Sequence, residues 1–293
     1  MRSAPARRRA WRRAVYALSR STARRLVPAN GLGLRVAVAV AREAMYWLRP
    51  ALTRRDLANL ALAVPALTRR EHRRILRAAL GNTARTSLEF LALVDGALTA
   101  PALGADLRAQ GLEHLDQALA QGRGVIAVST HLGHFAIPPL WLAARGYPVS
   151  IIMREAKHVP TGLYARAMER LGCQGIAADD VRVVARETLR ALRAGRVVFL
   201  YLDQGVKRAG AGVEFLGKHL PMPEGPAIFA RRSGAPIVPV LLDPQARAVR
   251  IEPPLDLAAH DDAAAQALAD LAAREVRAHP RHWQWRHRRW ARE

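Results

Sequence analysis

The sequence predicts an α/β fold, with a central, mostly parallel sheet covered by helices on both faces and a helical N-terminal part. Three observations support this prediction. From Gly122 onward, short apolar runs rich in β-branched residues alternate with stretches of helical periodicity. The pattern at 50–98 is helical throughout. The 293 residues, 51% of them hydrophobic, also suffice to bury a large core around such a sheet.

The first 48 residues are expected to form a basic amphipathic segment that associates with a membrane. Nine arginines and no acid precede Leu26, and apolar residues recur among them at helical spacing: Trp11, Val15, Leu18 and Leu26. This pattern is typical of helices that lie in an anionic interface, although a solvated arginine face or a frayed terminus would share it. The run at 31–48 contains three charged residues, so no membrane span is predicted. A cleaved signal peptide is not expected either.

Two successive helices are expected in the lead-in at 50–98. The phrase PALTRR occurs twice there, and each copy places a threonine three residues before an acid, Thr53 before Asp56 and Thr68 before Glu71. That spacing is the capping-box pattern of a helix start. The second helix should run towards Leu93 and place the following residues on one side: Ile75, Leu76, Ala79, Leu80 and Thr83.

The strands of the sheet are predicted after Gly122. They lie at 125–129, 149–153, 197–202 and 237–242, with a possible edge strand at 249–251, and a clear helix lies at 181–194. Since no low-complexity linker divides this region, positions 49–293, including the lead-in, are predicted to be a single domain.

The charge balance favours anionic partners. The chain has 46 Lys+Arg against 24 Asp+Glu, a net charge of +22. Nucleic acid, an anionic membrane surface, a phosphorylated lipid and an acidic carrier protein all meet that requirement. Nucleic acid is not the expected partner, because aromatic residues make up only 5% of the chain and no nucleic-acid-binding module is visible. Cys173 cannot form an internal disulfide and is expected to be a small core residue.

The first candidate for chemistry is His131, directly after the strand at 125–129. Ligands of open α/β sheets collect at the carboxyl ends of the strands, and histidine side chains titrate near neutral pH, so this residue is a candidate general base. A hydrogen-bonded structural histidine is the alternative. The HxxH pair that it forms with His134 is weak evidence for metal without a clear third ligand, and no metal is expected.

Other candidates come from three further turns. Asp203 and Gln204 follow the strand at 197–202, and Glu214 lies in the glycine-rich stretch after them. Gly225 opens a helix whose N-terminal N–H groups could hold an anion. Arg154 follows the strand at 149–153 and could clamp a phosphate or carboxylate, with a surface ion pair as the alternative. Four residues are predicted to bind substrate: Arg154, His134, Gln204 and Gly225.

Taken together and in order, these blocks resemble the bacterial lipid A late acyltransferases and the related mycobacterial phosphatidylinositol mannoside acyltransferases. The resemblance rests on THLGHFA at 130–136, LDQGVKRAGAGVEFLGK at 202–218, GPAIFARRSGAPIVPV at 225–240 and HPRHWQWRHRRW at 279–290. It implies a glycerolipid acyltransferase-like fold of the lysophospholipid acyltransferase-like superfamily.

The activity that the resemblance implies is transfer of a fatty acyl chain to a hydroxyl of a glycolipid, such as a lipid A precursor. The donor would be an acyl carrier protein or CoA thioester, and the site would lie at the cytoplasmic face of the inner membrane, with the protein attached peripherally. His131 would act as the general base, and the reaction would need no cofactor.

The sequence departs from the family's HxxxxD/E pattern, because it has Ala136 at the position five residues after His131 where an acid is expected. Such an acid fixes the tautomer of the imidazole and stabilises its protonated form. Asp203 and Glu214 are the predicted substitutes, since both lie in blocks expected to border the same crevice. The alternative is a catalytically silent lipid- or carrier-binding paralogue.

Three tryptophans near the C-terminus, Trp283, Trp285 and Trp290, lie among arginines. They fit an interfacial belt or cation–π stacks as well as an ordinary packed C-terminal segment. The sequence leaves these alternatives open.

Overall fold

A computed structural model describes residues 4–154, 162–203, 211–257 and 261–286, and it confirms the predicted α/β architecture. The strands are β1 (Arg108–Gln110), β2 (Val125–Ser129), β3 (Val149–Met153), β4 (Gln174–Ala177), β5 (Val197–Tyr201), β6 (Ala211–Phe215), β7 (Lys218–Met222), β8 (Ile237–Asp243) and β9 (Ala248–Ile251). The helices before the sheet are α1 (Ala4–Leu26), α2 (Leu32–Trp47), α3 (Pro50–Ala63), α4 (Arg69–Val94) and α5 (Ala100–Leu103). Those among and after the strands are α6 (Leu112–Leu119), α7 (Ile137–Ala143), α8 (Leu163–Arg170), α9 (Val181–Arg193), α10 (Gly225–Ser233) and α11 (Asp261–Ala278).

The central sheet has the strand order β1-β9-β8-β2-β5-β3-β4. Its described pairs are parallel except for β8 with β9, which run antiparallel. The strand at β9 was predicted as a possible edge, but it lies between β8 and β1. The short β1, which the sequence pattern did not predict, pairs with it and occupies the edge position.

Helices cover both faces of the sheet, as the continuous apolar runs predict. In β2, Val125 and Ala127 belong to one hydrophobic cluster together with residues of α6, α7 and α8. Ile126 and Val128 belong to a second cluster with residues of α4, α9, α10 and α11. Since successive side chains of a strand point to opposite faces, this alternation places the two clusters on opposite sides of the sheet.

The capping box predicted for the second lead-in helix is confirmed. The Thr68 hydroxyl accepts a hydrogen bond from the Glu71 N–H at 3.3 Å, and the Glu71 carboxylate accepts one from the Thr68 N–H at 2.8 Å. The equivalent prediction for Thr53 is wrong. Pro50 starts α3 three residues earlier, because its fixed φ and missing N–H suit the first helical position, and the Thr53 hydroxyl donates instead to the Tyr46 carbonyl at 2.7 Å.

The two N-terminal helices pack on α4. Ala23 of α1, Leu34 of α2 and Leu88 of α4 share a small buried cluster, and Leu26 packs against its side. None of the helices in the described part of the chain is both long and apolar enough to cross a bilayer.

A hairpin of β6 and β7 forms where the sequence indicated only a glycine-rich turn. Its two-residue connection, Leu216-Gly217, has φ angles of 52° and 82°, as a type I′ turn requires. A leucine in this conformation is strained, and burial of its side chain offsets the strain. At Gly217, a Cβ would lie 3.3 Å from the Leu62 carbonyl oxygen, so glycine is favoured by space as well as by φ.

Candidate active site

The register of the sheet brings together residues that are far apart in the sequence. β2 and β5 are parallel neighbours, with Ser129 opposite Tyr201, and the Leu202 N–H donates to the Ser129 carbonyl at 2.9 Å. The residues two positions beyond these strand ends, His131 and Asp203, therefore emerge side by side at the carboxyl edge of the sheet.

Asp203 and His131 form a buried pair. Nδ1 of His131 lies 2.7 Å from Oδ1 of Asp203, and the His131 backbone N–H lies 3.1 Å from both carboxylate oxygens. The Asp203 side chain has no exposed surface, and His131 is only 6% exposed. Because an ionised carboxylate can only accept hydrogen bonds, Nδ1 is the donor in this contact, and in the neutral imidazole the lone pair then lies on Nε2. This is the tautomer that a general base requires.

The third member of this arrangement is Trp283, whose indole N–H donates to Oδ2 of Asp203 at 2.6 Å. The segment that carries it is joined to the loop after β2 by a bridge between Leu132 and Trp283 and by a 2.8 Å hydrogen bond from the Gly133 N–H to the His282 carbonyl. Trp283 and Trp285 are fully buried. For these two the interfacial belt is therefore wrong and the packed C-terminal segment is right, while Trp290 lies outside the described residues.

Two aromatic rings pack against the imidazole of His131. The rings of Tyr201 and Phe135 have centroids 4.4 Å and 4.8 Å from that of His131, and the Tyr201 hydroxyl donates to the Phe135 carbonyl at 2.7 Å. Burial raises the pKa of Tyr201, so its phenol stays neutral. The apolar setting strengthens the electrostatic interaction within the dyad.

Two acids were predicted to replace the missing motif acid. Asp203 contacts His131, whereas Glu214 contacts a different histidine. The Glu214 carboxylate lies 3.1 Å from Nδ1 of His219, and both side chains are 68% exposed. The reason is the register of the hairpin, which pairs these two residues across β6 and β7. Ala136 is buried in the hydrophobic cluster beside α7.

The predicted substrate-binding residues have different settings. Arg154 is exposed at the carboxyl end of β3, next to β5, and its guanidinium donates to the Ala178 carbonyl at 3.1 Å. Gly225 opens α10 close to the end of β5, since a Cβ built there would lie 3.6 Å from the Leu200 side chain. Gln204 lies outside the described residues. Substrate contacts of Arg154 and Gly225 stay predictions.

His134, three residues after His131, is also buried. Burial lowers the pKa of His134 to about 4, so its ring is neutral at physiological pH. Its Nε2 lies 3.9 Å from a Glu89 oxygen, and burial raises the pKa of Glu89 as well. Neither ring nitrogen has a hydrogen-bond partner within the described ranges. The predicted substrate contact of His134 stays a prediction.

The sequence from 34 to 292 matches the protein family described as bacterial lipid A biosynthesis acyltransferase. The chain belongs to this family. The motif resemblance is thereby confirmed, and the pair of His131 and Asp203 lies inside the matched region.

Two relatives of this chain are named phosphatidylinositol mannoside acyltransferases. The protein of Mycobacterium tuberculosis is 33% identical over 187 residues, which cover 61% of this chain and 58% of that protein. The protein of Mycolicibacterium smegmatis is 29% identical over 248 residues, which cover 82% of this chain and 79% of that protein. The match to the Mycobacterium tuberculosis relative therefore spans less than two thirds of that relative's length.

Sequence reasoning did not place Trp283 beside His131 and Asp203. The only signal was its position in the HPRHWQWRHRRW block, which carries part of the resemblance. A single sequence does not reveal which buried acceptor an indole N–H will meet, because that contact depends on how the last segment folds back onto β2 and β5.

Proposed function

We propose that this acyltransferase moves a fatty acyl chain from an acyl thioester, on an acyl carrier protein or on CoA, to a hydroxyl group of a glycolipid. The observation that carries the proposal is the buried 2.7 Å contact between Nδ1 of His131 and Asp203, at the carboxyl edge of the sheet. It supplies a base with a fixed tautomer where open α/β sheets bind their ligands.

In the proposed reaction, Nε2 of His131 takes the proton from the acceptor hydroxyl as its oxygen attacks the thioester carbonyl. The carbon–sulfur bond then breaks, the ester forms, and the imidazolium returns its proton to the departing thiolate. Asp203 stabilises the imidazolium and holds the ring in place. The absence of an acid at Ala136 therefore gives little support to a silent paralogue, because a carboxylate reaches Nδ1 from the neighbouring strand.

The substrate classes follow from the relatives and the charge. The relatives are named for a phosphorylated glycolipid, and the family for lipid A biosynthesis. Both kinds of acceptor and an acidic carrier protein are anionic, which suits a chain with a net charge of +22.

The test is acyl transfer by the purified full chain, with labelled palmitoyl-CoA and palmitoyl carrier protein as donors. Phosphatidylinositol mannoside and a lipid A precursor that lacks one acyl chain serve as acceptors. We expect one donor and acceptor pair to yield a lipid whose mass rises by one acyl group and whose new chain is released by mild alkali, as an ester requires. If no pair yields product while the chain still binds acceptor vesicles, the silent paralogue is correct and the proposal fails.

We further propose that the enzyme works attached peripherally to the cytoplasmic face of the inner membrane through α1 and α2. The outer surface of α2 carries large exposed apolar residues at helical spacing, Leu32, Val36, Val40 and Trp47, and α1 exposes Trp11, Val15 and Leu18. Arg24, Arg25 and Arg35 are exposed on the same two helices. An apolar stripe flanked by arginine is the pattern of a helix that lies in an anionic lipid interface.

Val36→Glu is expected to weaken binding to phosphatidylglycerol vesicles about tenfold, because it places a charge in the stripe that would enter the lipid. Val181→Glu is the matched control. It puts the same charge on an equally apolar, exposed position at the start of α9, and we expect vesicle flotation to be unchanged. Equal losses for the two variants would show that charge alone matters and would contradict docking through α2.

A further inference from the structure

We propose that Trp283 is a positioning residue of the active site. Its indole N–H holds the Asp203 carboxylate in the orientation that keeps the proton of His131 on Nδ1 and the lone pair on Nε2. This inference deepens the proposed function and rests on it, because the dyad is the base of the proposed reaction.

Two side-chain donors contact different oxygens of the Asp203 carboxylate, in addition to the His131 backbone N–H, which lies 3.1 Å from both oxygens. Oδ1 of Asp203 lies 2.7 Å from Nδ1 of His131, and Oδ2 lies 2.6 Å from the indole nitrogen of Trp283. Hydrogen bonds to an ionised acceptor are short and strong, and a buried carboxylate that loses one is poorly compensated. Both Asp203 and Trp283 are fully buried, so bulk water is not in place to substitute for the indole. His131 and Trp283 therefore together fix the plane of the Asp203 carboxylate, and this plane in turn fixes the orientation of the imidazole.

The segment that carries Trp283 is tied to the loop that carries His131. The Gly133 N–H donates to the His282 carbonyl at 2.8 Å, and the Asn82 side chain donates to the Arg281 carbonyl at the same distance. Trp283 itself is bridged to Leu132, the residue after the base. Movement of the indole would therefore be transmitted to both members of the dyad.

A buried ion pair fixes the far end of this segment. Nε of Arg286 lies 2.7 Å from a carboxylate oxygen of Asp56, which has no exposed side-chain surface. The same guanidinium donates to the Met45 carbonyl at 2.8 Å and to the Thr53 hydroxyl at 2.9 Å. Asp56, predicted as part of a helix cap, instead anchors the last described residues to α3. The Trp283 ring is thus held by its flanking residues as well as by its own packing.

The first test is Trp283→Phe, which keeps an aromatic ring but removes the N–H. We expect kcat for acyl transfer to fall about 10- to 100-fold, as the loss of one hydrogen bond to a charged group predicts, with KM for donor and acceptor within about twofold. The acid limb of the pH–rate profile should move to higher pH, because a carboxylate that has lost the indole donor interacts more strongly with His131 and stabilises its protonated ring. The titratable neighbours in contact with the dyad include Tyr201 on β5, whose raised pKa keeps it neutral over this range.

Trp285→Phe is the matched control. It removes the same atoms from an equally buried ring in the same segment, but the N–H of Trp285 donates at 2.8 Å to the Pro280 carbonyl. We expect its kcat to stay within about threefold of wild type, with an unshifted pH profile. The proposal is overturned if Trp283→Phe also stays within that range, or if the two variants lose activity equally.

Replacement of Trp283 by benzothienylalanine covers the case in which the phenylalanine variant does not fold. The analogue keeps the shape of the indole and exchanges the N–H for sulfur, so packing is retained and only the donor is lost. Loss of kcat with a shifted pH profile supports the proposal, and wild-type kinetics overturn it.

A measurement without turnover separates this proposal from the proposed function. The proton on Nδ1 of His131, held against a buried carboxylate, should give a resonance downfield of the amide region in the NMR spectrum. We expect it in the wild type and in Trp285→Phe, and we expect it to shift or vanish in Trp283→Phe. If the wild type transfers no acyl chain but the resonance behaves in this way, the proposed function fails while Trp283 still orients the dyad. An unchanged resonance in Trp283→Phe overturns the positioning role.

Discussion

Replacing His131 by alanine is expected to reduce acyl transfer by roughly three orders of magnitude or more. The acceptor hydroxyl is a weak nucleophile until a base takes its proton, and Nε2 is the ring nitrogen of His131 that does not face Asp203. Donor and acceptor binding should survive, so the loss should appear in kcat. The measurement is the initial rate of labelled acyl transfer at equal amounts of folded protein.

His219→Ala is the control for the His131 variant. His219 is a histidine on the exposed face of the β6–β7 hairpin, and its partner is Glu214. We expect this variant to transfer acyl chains at nearly the wild-type rate. Turnover by His131→Ala within tenfold of the wild type would mean that another group acts as the base.

Asp203→Asn is expected to lower kcat by about a thousandfold to ten-thousandfold, the scale seen when the orienting acid of a comparable triad becomes an amide. The variant is almost isosteric, but its NH₂ group can donate to Nδ1. The imidazole would then carry its proton on Nε2, where the lone pair is needed. A fall in kcat with an unchanged melting temperature would separate this effect from loss of folding.

Glu214→Gln decides between the two acids that the sequence offered. The Glu214 carboxylate contacts His219 and is mostly exposed, so we expect kcat to change less than threefold. Asp203→Asn made in the His131→Ala background should add almost no further loss, because the two residues act as a unit. A large effect of Glu214→Gln, together with an active Asp203→Asn, would reverse the assignment of the acid.

The elements that the sequence predicted well are those with strong local signals. Four continuous apolar runs became β2, β3, β5 and β8, because a strand buried on both faces needs such a run. Thr68 and Glu71 formed the capping box, whereas Thr53 did not, since Pro50 determined where that helix begins. The β6–β7 hairpin was missed because its turn contains a leucine at positive φ, which turn statistics do not anticipate.

The sequence predicted which site residues follow the ends of strands, but not which strands are neighbours. The sequence indicated that His131 and Asp203 follow buried strands, but it could not show that β2 and β5 are neighbours. That adjacency arises from the strand order, in which β5 inserts between β2 and β3. The contact of Trp283 with Asp203 is harder to predict from the sequence, because it depends on the position of a segment that forms no helix or strand.

His131, Asp203 and Trp283 come from parts of the chain separated by 72 and 80 positions. Closing loops of that size costs conformational entropy before any contact is gained, so such pairings form slowly compared with local helices. A folding intermediate with most of its helices would already show a strong far-ultraviolet circular dichroism signal and yet be inert. Recovery of acyl transfer during refolding would therefore report the closure of the sheet and of the last segment, an event that helix content does not register.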